Sequence, residues 1–163
     1  KGEQLRRVMR YLQAWRDFQK WDKDDPKSIL LMVAADAAFD MATEKRDDLA
    51  LLKVLRRLPD ILRGQVINPA SRDKPLNEQE DLAKRLDSKG IRDDVIARIE
   101  YFAGQLEYAI DTCGVPAKAC EILIEHLGDR LPNDPDRVIQ STVQSQPAQK
   151  TAAVPPLGKA TAG

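Results

Sequence analysis

A chain of 163 residues is long enough for one domain with a real hydrophobic core. Its 26 lysines and arginines are matched by 26 aspartates and glutamates, so net charge gives no reason to expect a nucleic-acid partner, although the first helical stretch is locally basic. A membrane span is not expected either: the apolar run at 29–35 is too short to cross a bilayer, and Asp36 interrupts its extension.

The sequence starts at Lys1 rather than methionine, shows no signal-peptide pattern, and reads as part of a longer protein. Residues 5–39 organise the rest of the chain. In the first stretch, LRRVMRYLQAWRDFQKW, the 3.6-residue period gathers Leu5, Val8, Met9, Leu12, Trp15 and Phe18 on one face of a helix. Arg6, Arg7, Arg10, Arg16 and Asp17 fall elsewhere around it. The link DKDDPKS contains Pro26, which prevents a smooth continuation, and Ser28, which is placed to cap the next helix. That helix, ILLMVAADAAF, is apolar all round except for Asp36 and is expected inside the core.

Asp47 or Asp48 can cap a third helix, whose stripe is Leu49, Leu51, Leu52, Val54, Leu55 and Leu58. Pro59 is expected to end or bend it. GQVINPASRDKPL then breaks the pattern; Val66 and Ile67 suit a short extended piece, but Gly64 and two prolines favour a loop. Loops of this length are often functional or anchored elsewhere. Asn77 and Glu80 resemble a capping pair for a helix that buries Leu82 and Leu86 and stops at 88–90. From Asp93 or Asp94 runs the clearest long amphipathic helix of the second half, with Val95, Ile96, Ile99, Phe102, Ala103, Leu106 and Ile110 on its stripe. Gly114 closes it, Pro116 suits the first turn of a further helix, and Gly128 suits that helix's end. The reading is an all-α, bundle-like body over 1–131. Residues 132–163, rich in proline and small polar residues, form a flexible tail with too little apolar surface to offset ordering it.

Catalytic constellations are missing. His126 is the only histidine and has no His or Cys beside it, so a partly exposed helix histidine is expected rather than a ligand or general base. Cys113 and Cys120 read as reduced, structural thiols of a cytosolic protein. No Walker loop, GxGxxG or GxSxG occurs, and the carboxylate pairs Asp24-Asp25, Asp47-Asp48 and Asp93-Asp94 lie where capping and solvation explain them. Two features remain. Lys27 and Ser28 at the start of a buried helix suit phosphate oxygens, and Gly163 ends a long tail.

LRRVMRYLQAWRDFQ followed by PKSILLMVAADAAF, then RDDLALL and a later NP…DKPL, resembles the C-terminal helical half of bacterial cGAS/DncV-like nucleotidyltransferases. These are the CD-NTases, which make cyclic oligonucleotide signals in CBASS anti-phage defence. The resemblance covers residues 5–131 and implies an all-α, bundle-like C-terminal half of a nucleotidyltransferase. In such enzymes the preceding half carries a Gly-Ser loop and acidic ligands for two magnesium ions; neither pattern is legible in this sequence.

By the same resemblance, Ser28 falls where a nucleotide-contacting serine is expected, and Asp73 near a base-reading acidic residue. Gln13 stands where some relatives have a phosphate-binding lysine, leaving Lys20 or Lys27 to supply charge. The implied substrates are ATP- and GTP-type triphosphates, with Mg2+ held by the other half. The resemblance also implies a ubiquitin-activating-like E1–E2 fusion partner that conjugates the C-terminal Gly163 to target amines, in the cytoplasm. Neither membrane nor nucleic acid is among the expected partners. The alternative from another class is a non-catalytic helical interaction module with a disordered peptide tail.

Overall fold

The computed structural model describes residues 2–39, 44–130 and 134–135. Among the described residues there are six α-helices: α1 Gly2–Phe18, α2 Ser28–Ala38, α3 Asp47–Arg63, α4 Lys84–Lys89, α5 Arg92–Glu107 and α6 Pro116–Leu127. A π-helical turn, Tyr108–Thr112, extends α5, and short 3-10 turns lie at Pro69–Ser71, Leu76–Glu78 and Gly128–Arg130. The described residues are all-α, relieved by one isolated antiparallel bridge between Ile67 and Asp81. The expected boundary at 131 and the tail beyond it lie outside the described residues, 134–135 excepted.

Helix α3 packs against α1, α2 and α5, and α6 closes over α1 and α5. The side chains that hold this together are those of the sequence stripes. Val8, Leu12 and Trp15 from α1 meet Leu51, Leu55, Leu58 and Leu62 from α3 and Val95, Ile99, Phe102 and Leu106 from α5 in one cluster. Trp15 and Phe102, both 0% exposed, lie parallel with their centroids 6.5 Å apart, and Trp21 stands edge-on to Trp15 at 5.6 Å. Aromatic residues of this size remove about 150–250 Å² each from water, so this trio anchors α1 to α5. The guanidinium of Arg98 lies 5.0 Å over the Trp21 ring.

Several local expectations are corrected. Of the two outcomes expected at Pro59, an end to α3 does not occur. Pro59 is buried inside a helix that continues to Arg63, and the bond its missing N–H forfeits is offset by the leucines buried on either side. Neither Asp47 nor Asp48 is the cap of α3; that position is Arg46, and Asp47 instead pairs with Arg7 across to α1. Asn77 and Glu80 start no helix. The turn at Leu76–Glu78 is 3-10, and α4 begins at Lys84, behind Asp81, whose carboxylate accepts from the backbone N–H of Val66 and Ala83 at 2.9 Å each. Phe18 is 48% exposed rather than a core residue. The stops at Gly90 and Gly128 are as read, both with positive φ.

His126 is not partly exposed. It is 4% exposed, stacked 4.6 Å from the Phe102 ring and 5.4 Å from Tyr101. Helix α2 is only half interior: Leu30, Leu31, Ala34, Ala35 and Ala38 are buried, while Ile29 is 43% exposed and Met32 and Val33 are half-buried.

Candidate functional site

The link between α1 and α2 is tied down from several sides. Pro26 is buried, Asp24 pairs with Arg85 at 3.1 Å and Lys89 at 3.2 Å, and the Trp21 indole N–H donates to the Arg16 carbonyl at 2.9 Å. The bond with Lys89, reinforced by Arg85, holds the Asp24 carboxyl below the usual carboxylate range. Lys27, extended at φ −63° and ψ 140°, occupies the cap position of α2 without a side-chain cap bond, and among the described residues no side chain bonds to the first N–H groups of that helix. Ser28, expected as the cap, is the first helical residue, and its Oγ accepts from Arg16 Nη1. The reason is geometric. Arg16 stands in the last turn of α1 opposite Ser28, and a charged donor outcompetes the helix's own N–H groups for the hydroxyl.

Gln13, one turn before Arg16 on α1, donates from Nε2 to the Ser28 carbonyl at 3.5 Å. The structure therefore brings Gln13, Lys27 and Ser28 together and adds Arg16, which sequence reading does not select. The available signal is spacing: positions 13 and 16 share a helix face. Lys27 is exposed and forms no ion pair among the described residues.

From Ser28 the same face of α2 continues to Met32 and Asp36 at four-residue steps, and this face borders a groove. One depression of about 550 Å³ lies between Gln13, Met9, Arg10 and Met32. It adjoins a second of about 680 Å³, which shares Met9 and Met32 and extends to Asp36, Val66, Pro69 and Arg72. Residues 66–82 that wall the far end are rigidly braced. Ser71 Oγ donates to the Asn68 carbonyl at 3.0 Å and accepts from the Glu80 N–H at 2.9 Å, and Gln79 Nε2 donates to the carbonyls of Arg72 and Lys74. Arg92 fastens the base of this segment by donating to the carbonyls of Leu62 and Ala83 and to Asp87.

Asp73 is exposed on that braced segment and does not line the groove; its neighbour Arg72 does. Gly163 lies outside the described residues. No cluster of three or more His, Cys, Asp or Glu that could hold a metal occurs among the described residues, and no described helix is long and apolar enough to cross a membrane.

A family model described as "Cyclic GMP-AMP synthase, C-terminal domain" matches residues 2–141. The chain belongs to this family. It is the C-terminal domain of a cGAS/DncV-like nucleotidyltransferase. The curated cyclic GMP-AMP synthase of Vibrio cholerae is 40% identical over 78 residues, 46% of this chain and 18% of that protein. Among solved structures, Vibrio cholerae DncV cyclic AMP-GMP synthase in complex with the linear intermediate 5' pppA(3',5')pG is 26% identical, with a TM-score of 0.64 over 81% of this chain. The Vibrio cholerae di-nucleotide cyclase in complex with GTP and 5MTHFGLU2 shares the fold at 24% identity and a TM-score of 0.68 over 86% of this chain. The chain spans 35% of the length of each of these two structures.

Proposed function

We propose that this C-terminal domain forms one wall of the nucleotide pocket of a cyclic-oligonucleotide synthase that joins ATP- and GTP-type triphosphates into a second messenger for anti-phage defence. The observation that carries the reading is the convergence of Gln13, Lys27 and Ser28 where α1 meets α2, at the end of a groove walled by methionines. Unbonded N–H groups at the head of an 11-residue helix, a hydroxyl and an exposed lysine are suited to phosphate oxygens. Met9 and Met32 offer apolar, polarisable walls to the faces of a base. Asp73, a carboxylate on the braced segment beyond, is assigned to accept N–H donors from a base edge.

Magnesium is assigned to the rest of the synthase, because the described residues offer no ligand cluster for it. Bound there, magnesium would supply Lewis-acid charge for a ribose hydroxyl and the pyrophosphate. Gly163 is assigned to presentation: its carboxylate, without a side chain to obstruct entry, is adenylated from ATP by an E1–E2 fusion partner with loss of pyrophosphate, passed to that partner's cysteines as a thioester with loss of AMP, and joined to a target amine with release of the thiol. Cys113 and Cys120, neither of them in a disulfide among the described residues, suit a cytoplasmic setting.

Incubating the full-length synthase with labelled triphosphates and identifying the product by mass tests the activity. A cyclic oligonucleotide is expected, and no nucleotide product would overturn the reading. Ser28→Trp should weaken triphosphate binding, and unchanged synthesis by that variant would remove the pocket assignment. Gly163→Glu should abolish covalent attachment, and a thioester that still forms would remove the role of the tail.

A further inference from the structure

Arg16 lies at the centre of this junction, yet it stands off the apolar stripe and the family resemblance does not select it. Its three guanidinium nitrogens have separate surroundings. Nη1 donates to Ser28 Oγ, Nη2 pairs with Asp17 Oδ1 at 2.9 Å, and Nε is buried without a hydrogen bond, 3.6 Å from Asp25 Oδ2. The side chain is 21% exposed, so most of this charge is drawn into the junction rather than left in solvent. A guanidinium cannot give up its proton and its fork is planar, so the orientation of one arm fixes the others.

The contact biases the bonds that Ser28 can still make. A serine hydroxyl has one proton to donate and two lone pairs that accept. Arg16 Nη1 is a donor only, so it occupies a lone pair and leaves the O–H proton unspent. No described residue accepts that proton. A hydroxyl free to rotate would be equally ready to accept from a ligand N–H or to donate to a ligand oxygen. One held by a cation is restricted towards donation, and its proton is made more acidic by the adjacent charge.

We propose that Arg16 is the positioning residue for Ser28, holding its hydroxyl as a donor aimed at a phosphate oxygen of the bound triphosphate. Arg16 acts through Ser28 and does not itself touch the nucleotide, while Gln13 fixes the Ser28 carbonyl from the other side. The charge that favours phosphate at this junction thus comes from Arg16 behind the serine and from Lys27 beside it, and not from position 13, which is neutral. Asp17 and Asp25 hold the guanidinium in place and keep it from swinging out to meet the phosphates directly. This assignment rests on the reading of the junction as a nucleotide pocket.

The test uses the full-length synthase and isothermal titration with the nonhydrolysable imidotriphosphates of adenosine and guanosine, and with adenosine and guanosine themselves. Variants are Ser28→Ala, Arg16→Gln, Arg16→Lys and the Ser28→Ala/Arg16→Gln pair. Loss of a hydrogen bond to a charged group corresponds to roughly a tenfold weakening. Ser28→Ala and Arg16→Gln are each expected to weaken triphosphate binding by about that factor and to leave nucleoside binding unchanged. In the Ser28→Ala background, Arg16→Gln should add less than about twofold, because there is no hydroxyl left to orient. Arg16→Lys, which retains a donor but not the fork, should recover part of the loss and guards against misfolding of the glutamine variant.

If Ser28→Ala weakens binding and neither Arg16 variant does, the positioning role is overturned and the pocket reading stands. The role is also overturned if nucleoside and triphosphate affinities fall together, or if the two losses multiply, since Arg16 would then act on the fold or on the ligand directly. If Ser28→Ala changes nothing, the pocket reading itself fails.

Discussion

Replacing His126 by phenylalanine removes the one side chain of the 163-residue chain whose ordinary pKa lies between pH 5 and 8, because it is the only histidine. His126 is buried on α6 against Phe102 and Tyr101, and its Nε2 finds no hydrogen-bond partner among the described residues. Burial pushes the imidazole pKa down from its ordinary 6.5, opposed in part by the charge of Glu125. The imidazole therefore binds its proton less readily in the folded chain than in the unfolded one. Stability is fully present above the unfolded pKa of about 6.5 and is lost as pH falls below it, until the folded pKa is passed. The steepest possible loss for one group is about 1.4 kcal/mol per pH unit.

The neighbouring window is clear, since the shifts resolved for Asp24, Asp47 and Asp87 are all downward and move their titrations further from that of the histidine. Urea unfolding of the wild-type chain and of His126→Phe, followed by circular dichroism from pH 7.5 to pH 5.0, measures the effect. Wild-type stability should fall with acidification through this range, while the variant stays flat. The phenyl ring preserves the stack on Phe102 and removes a buried nitrogen without a partner, so the variant should match or exceed wild type at pH 7. Parallel profiles, or a wild type that gains stability on acidification, would refute the argument from burial.

Two further outcomes are expected. Gly128 has φ +72° and ψ −165°, and a Cβ built there would lie 2.6 Å from Phe18 Cδ2, so Gly128→Ala should cost about 1–3 kcal/mol from the backbone alone and more from the ring. Adding Phe18→Ala should recover the ring contribution and not the backbone one, which a double-mutant cycle by urea unfolding resolves. Asp47 is held below the usual carboxylate range by its bond from Arg7, so its contribution is present above about pH 3.9 and is lost as pH falls through the depressed value; Asp47→Asn should cost about 1 kcal/mol at pH 7, the pair being partly exposed, and should flatten the acid limb of the stability profile.

The helices are legible in the sequence because their stripes repeat at 3.6 residues and their ends carry Gly90, Gly114, Pro116 and Gly128. Pro59 misleads because local propensity is a poor guide where long-range burial decides. Ser28 misleads for a related reason: a capping rule looks at most a few residues along the chain, whereas the Arg16 that captures its hydroxyl is twelve residues away. The burial of His126 does have a sequence signal, since Ala119, Ile122 and His126 share one helical face. The position of Asp73 outside the groove, with Arg72 facing it, has no such signal. It depends on hydrogen bonds of Ser71 and Gln79 that no periodicity encodes.

Helix α2 shows how a hydrophobic pattern that reads as a core can also carry functional information. Five of its 11 residues are buried, enough to seat it against α1 and α3. Of its remaining apolar residues only Val33 also packs against the core, and a helix that had only to be seated would be expected to carry polar groups at the others. Met32, Val33 and Ala37 instead line the groove together with Met9 of α1. The surplus is therefore located where the proposed pocket needs apolar walls, and polar residues stand at its edges: Gln13 at one end, and Asp36 and Arg72 towards the other. A ligand with flat apolar faces and a charged end fits that distribution, its faces against the methionines and its charge towards Lys27 and the hydroxyl that Arg16 holds. On this reading the second face of α2 is apolar for the sake of a bound molecule, and polar substitutions at Met32 should weaken that molecule's binding before they disturb the fold.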